Sequence, residues 1–277
     1  MRRLILMLEE ATAGTVVKGY TVGPNAKLDK AKLWGANLSG MDLQKASFVQ
    51  ADLRGADLSN ADLRGASLYM ANLDGANLQG AILEKAVLQK ATFIGANLSG
   101  ANMTDVLLEN AKFNGANLQG ANLNGARGMD AKFGKANMIG ITAIKSSMSY
   151  GNFKGVNLEG SDWTSASFLN TNFVSANLKN ANLSQVNGLS GSFYGAKMQG
   201  ASLVDAKFIK TNFVDAKLDG VDLSGATFKD SLFKDEFNVA KNKDSAKFSN
   251  IAKYSGATYD ISHLPKNAAA IERNSRR

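Results

Sequence analysis

Cysteine is absent from the 277 residues, histidine occurs once and proline twice. Without cysteine there is no disulfide framework and no thiolate metal site. The lone His263 lies in the C-terminal tail, where it has no nucleophile beside it to activate, and it reads as a capping residue. Long apolar runs are missing as well. Residues 4–8 are apolar but run straight into Glu9 and Glu10, too short for a signal peptide or for a membrane span of about 18 residues. The expected location is therefore cytoplasmic, with a virion or another large assembly also suited to the chain. Charge of one sign is missing from the middle. The net charge is +8, yet residues 26–125 carry nine Lys/Arg against nine Asp/Glu, and residues 126–235 twelve against nine. Five of the eight excess charges fall in residues 1–25 and 236–277.

What is present is a period. From position 28 to position 233 every fifth residue is a centre, 42 in all, and 39 of these are Leu, Phe, Met or Trp. Only Gly128, Ala143 and Gly188 break the series. Two places before each centre stands a small residue, Ala in 29 cases, and the remaining places are polar or glycine. A period of five fits neither a helix face at 3.6 nor a strand at 2. It fits a short extended piece that turns its small residue and its centre inward, followed by a corner. Repeated, that piece builds a coil whose sides stack as parallel strands about 4.8 Å apart.

The number of sides follows from a second period. Phe93, Phe113, Phe133, Phe153, Phe173, Phe193, Phe213 and Phe233 recur at intervals of 20. Large and small centres also compensate at that interval, Ala143 with Trp163 and Gly188 with Phe168 and Phe208. Four pentapeptides then make one coil, with a phenylalanine ladder up one side, about ten coils in all and roughly 50 Å of rod. Units such as Ala51-Asp52-Leu53-Arg54-Gly55 resemble the pentapeptide-repeat family motif, over about three quarters of the chain. The resemblance implies an all-β fold, a right-handed quadrilateral parallel β-helix with capped ends.

Three segments follow. Residues 1–25 are expected to cap the first coil as a short helix or strand, residues 26–235 to form the β-helix, and residues 236–277 to form a C-terminal cap and basic tail. Residues 126–191 look irregular. The small position there loses its alanine at Ile141, Ser146, Gly151, Val156 and Ser161, and at Gly128 and Gly188 the apolar residue arrives one place late, which predicts a local bulge. Arg54 with Asp74, and Arg64 with Glu84, stand 20 apart and are expected to pair across coils.

Chemistry is harder to find. Asp52, Asp57 and Asp62 fall on three different sides and cannot share a substrate, while Asp42 and Asp62 share one side as solvated acids. The recurring G-x-x-x-x-G is a by-product of the repeat and is never followed by Lys-Ser or Lys-Thr. No catalytic, cofactor or metal residue is assigned, and no enzyme is expected. One outward patch stands out. Leu169, Leu189 and Ile209 follow the centres on the Gly188 side, and Val174, Tyr194 and Val214 follow those on the phenylalanine side. Stacked coil on coil they make an apolar strip, the candidate protein interface, for a partner or for self-association. The expected function is a non-enzymatic protein-binding or structural rod, a scaffold or adaptor. Two alternatives are weighed beside it. The family resemblance implies acidic members that mimic DNA and modulate gyrase, and the basic tail offers weak nucleic-acid binding.

Overall fold

In a unit such as Ala26 to Leu28 the small residue and the centre face inward, and the next two residues must reverse the chain by a quarter turn. That corner is made the same way at all but four places. In the computed structural model, which describes residues 15–233 and the strands Lys247–Ser249 and Ala252–Lys253, every fifth residue from 25 to 230 has a left-handed φ of 51–70°. Eighteen of these 42 residues are glycine and 24 are not. The following small residue closes the corner by donating its N–H to the centre's carbonyl, as Ala31 does to Leu28 at 3.1 Å. A positive φ at the third residue with this closing bond is the type II pattern.

Stacking confirms four sides. Parallel bridges join the residue before a centre to its equivalent 20 places on, beginning with Lys27↔Ser47 and continuing to Asn212↔Leu232. Typical bonds are Leu28 N–H to Ser47 C=O at 2.7 Å and Ser47 N–H to Ala26 C=O at 2.8 Å. Residues 15–22 form an antiparallel hairpin, β1 (Thr15–Val17) and β2 (Tyr20–Val22), at the lower end. Val22 is buried, and Val17 and Tyr20 pack against the core. The Tyr20 hydroxyl accepts the Lys32 N–H at 3.2 Å, and the Lys18 ammonium lies 3.7 Å from the Trp34 ring centre. The apolar residues 4–8, His263 and the tail lie outside the described residues.

The core is a single column of inward residues. Phe93 through Phe233 stack at ring separations of 4.7–5.0 Å, the expected ladder. Trp163 is buried above Ala143, edge-on to Phe153, and its indole N–H donates to Ser161 Oγ at 2.9 Å. That hydroxyl in turn donates a hydrogen bond to the Leu158 carbonyl at 2.7 Å. The loss of alanine at 161 therefore serves the tryptophan.

The bulge expected at Gly128 and Gly188 does not occur. Both glycines keep the inward register, Gly188 pairing with Phe168 and Phe208, while Met129 and Leu189 point out. Neighbours fill the missing volume. A Cβ on Gly188 would stand 2.3 Å from Phe208 Cδ1, and one on Gly128 would stand 2.5 Å from Leu108 Cδ1. What changes instead is the corner. On the Gly188 side, β3 (Ser167–Leu169), β4 (Asn187–Leu189), β5 (Lys207–Ile209) and β6 (Thr227–Lys229) are full strands. No N–H to C=O bond closes the corner after any of them. At three of these corners a hydroxyl bonds back to a carbonyl, as Thr211 Oγ1 does to Ile209 O and Ser231 Oγ to Lys229 O, both at 3.2 Å. These are the coils where phenylalanines on two adjacent sides meet edge-to-face, Phe208 against Phe213 at 5.1 Å and 89°.

The interval of 20 continues past the last full coil. β7 (Leu232–Phe233) pairs with β9 (Ala252–Lys253), and β6 pairs with β8 (Lys247–Ser249), with Phe248 opposite Phe228. Among the described residues no helix is long and apolar enough to cross a membrane.

A candidate protein-binding face

Outward positions inherit the same stacking, so each becomes a lane running up the rod. On the side whose centres include Leu78 and Leu98 the lane before the centres is asparagine. Asn77, Asn97 and Asn117 each donate an amide proton to the side-chain oxygen one coil below, at 3.0–3.2 Å, the lowest acceptor being Asp57. The ladder continues through Asn137, and Asn177 bonds Asn157. Each of these oxygens also accepts an N–H two residues on, as Asn97 does from Ser99 at 3.2 Å. Side-chain amides satisfied twice leave little for a ligand, so this side is a structural seam.

Arg54 and Arg64 pair locally and not across coils. The Arg54 guanidinium turns back to Asp52, with bonds of 2.8 and 2.7 Å, and Arg64 turns to Asp62 in the same way. Asp74 and Glu84, the expected partners, exert only a longer-range pull. The reason is geometric: a fork two residues away along the chain can be gripped bidentately, at less cost in side-chain freedom. Hydrogen bonds from these guanidiniums hold the Asp52 and Asp62 carboxyls below the usual range. Among the described residues no three His, Cys, Asp or Glu side chains come together as a metal site.

The apolar strip is placed as follows. Leu169, Leu189 and Ile209 lie directly above one another in β3, β4 and β5, with Leu189 41% and Ile209 39% exposed. Leu169 and Val174 are half-buried, and Tyr194 is 42% exposed. Val214 departs from expectation. It occupies the outward lane of Val174 and Tyr194 yet is only 2% exposed, while standing apart from the inward core. Direction along the period does not fix exposure, and a short branched side chain needs little cover to leave water.

The strip also extends further down the rod. The lane of Leu189 and Ile209 runs down through Met129, Tyr69 and Val49 by an unbroken series of N–H to C=O bonds. Met129, and Met70 and Tyr150 at the adjoining corner, are exposed. Of the nine large apolar residues exposed among the described residues, five belong to this one side and its corner. Reading every outward position at intervals of 20, and not only the upper coils, would have found them.

Comparison with known proteins agrees with this geometry. The pentapeptide repeats family matches in eight copies, over residues 25–60, 47–80, 71–110, 107–142, 152–187 and 192–235. Among solved structures the chain is similar to HetL, a pentapeptide repeat protein involved in heterocyst differentiation regulation from the cyanobacterium Nostoc. The two are 28% identical over 85% of this chain and 94% of HetL, with a TM-score of 0.35. It is also similar to trypsin-treated QnrB1, a plasmid-mediated fluoroquinolone resistance protein, at 16% identity over 74% of this chain and 96% of QnrB1, with a TM-score of 0.41. No curated protein matches the chain.

Proposed function

Because this chain belongs to the pentapeptide-repeat family, with its right-handed quadrilateral β-helix, we propose that it acts as a non-enzymatic protein-binding or structural rod that docks through its Gly188 side. One observation carries the reading: exposed large apolar residues gather on one side, while the asparagine side is closed on itself. Scattered apolar residues need no explanation, but a lane of them in consecutive coils does. Interface centres favour large amphipathic anchors, and Tyr194 on the adjoining phenylalanine side has that character. The rod supplies rigidity, since each coil is pinned above and below by backbone bonds.

The test is a paired substitution in the full chain. Leu189→Asp with Ile209→Asp should leave the circular dichroism spectrum and melting temperature near wild type, because both side chains project outward. Binding partners that co-purify with the wild type should be lost. A folded variant that retains all of them would move the docking site elsewhere. Val214→Asp serves as the contrast and should destabilise the upper coils, because the charge would enter a site shielded from water.

A further inference from the structure

We infer that the Gly188 side is a self-complementary surface, and that its occupant is a second copy of this chain lying antiparallel, face to face. This rests on the binding-rod reading and adds the identity of the partner.

The lane after the centres has a polarity. Asp29, Val49 and Tyr69 stand in its lower part, and Leu189, Ile209 and Lys229 in its upper part. Met129 lies midway, five coils above Asp29 and five below Lys229. A two-fold axis through Met129, parallel to the strands, reverses the rod and keeps each lane over itself. It sets Val49 against Ile209 of the second copy, Tyr69 against Leu189, and Met129 against Met129. Asp29 then meets Lys229, and in the corner lane Lys30 meets Asp230. Such isologous contacts, in which residue i meets j and j meets i, are the usual form of a homodimer.

No ion pair among the described residues holds Lys30, Lys229 or Asp230 within the monomer. Asp29 keeps its Oδ1 for the Val49 N–H and the Ser47 hydroxyl, which leaves Oδ2 for a lysine. The axis forces two like-charge meetings, Arg127 on Arg127 and Asp130 on Asp130. Both residues are exposed and lie at opposite edges of the face, where solvent screens them. A parallel arrangement is disfavoured, since it would set the apolar lane against the other lane, which carries Ser47, Ser67, Asn187 and Lys207. The face measures about 50 Å by about 10 Å, so the two copies together bury about 1,000 Å2, the lower bound for a specific interface.

The absence of cysteine permits a direct test in the full chain. Under mild oxidation Met129→Cys, on the axis, should give a disulfide-linked dimer. Val49→Cys alone and Ile209→Cys alone should give little, while a mixture of the two should cross-link. Sedimentation should show a wild-type dimer that Asp230→Lys weakens at least tenfold and that Lys30→Asp in the same chain restores. The inference is overturned if the wild type sediments as a monomer at tens of micromolar. It is equally overturned if Val49→Cys mixed with Ser47→Cys cross-links as well as Val49→Cys mixed with Ile209→Cys does, which would mean a parallel pair. A monomer whose co-purifying partner is still lost on Leu189→Asp with Ile209→Asp would sink the dimer and leave the binding-rod reading intact.

Discussion

The Ser146 hydroxyl is buried and finds no hydrogen-bond partner, in a position where most repeats place alanine. An unsatisfied buried hydroxyl costs about 1–3 kcal/mol. Ser146→Ala should therefore raise stability by about 1 kcal/mol, read as an increase in melting temperature. A drop would mean that the oxygen has a partner after all. Asp57 is the opposite case. The Ser59 hydroxyl, the Ser59 N–H and the Asn77 amide hold its carboxyl below the usual range. A folded-state value lowered in this way stabilises above the unfolded value of about 3.9, and the gain is lost as pH falls through the lower folded value. The wild-type advantage over Asp57→Asn should thus be present at pH 7 and shrink below about pH 4. Melts of both proteins across that range provide the check, and a constant difference would remove the carboxylate from the account.

Among the elements the phenylalanine ladder is the most exposed to test. Phe153 is stacked between Phe133 and Phe173 and meets Trp163 edge-on. Phe153→Ala should cost about 3–5 kcal/mol, the range for a buried phenylalanine, in denaturant unfolding. A cost under about 1 kcal/mol would mean the ring is not packed as described. The ladder and the four sides were legible because both are inward properties, fixed by volume and by the 20-residue interval. The opened corners were not legible. At three of them Thr171, Thr211 and Ser231 bond back to a carbonyl two residues earlier, which does not show in a one-dimensional pattern. Gly188 misled for a related reason: Leu189 one place later resembles a shifted centre, until Phe208 is seen to fill the gap from the next coil. The lower apolar lane was present in the sequence but interrupted by Gln89, Glu109 and Ser149, which hid its continuity.

For the whole molecule, charge distribution decides one question. Along the rod Lys and Arg are interspersed with Asp and Glu, 21 against 18 over residues 26–235. No continuous negative stripe like that of a DNA duplex results. The purified protein should neither inhibit gyrase supercoiling nor protect gyrase from a quinolone at low-micromolar concentration, and clear protection would reverse the reading. The strict register has a last consequence. Whether a residue points inward depends on its position modulo 5, but which side it decorates depends on its position modulo 20. The chain therefore carries two independent clocks, one for stability and one for addressing. Deleting five residues, such as 101–105, should keep every inward residue inward and the protein folded. Everything above would turn by a quarter relative to everything below, cutting the phenylalanine ladder and moving Leu189 and Ile209 out of line with Val49 and Tyr69. Deleting 20 residues, 101–120, should restore the alignment in a rod one coil shorter. Circular dichroism of both deletions, with sedimentation beside it, would separate a protein that has lost its fold from one that has only lost its phase.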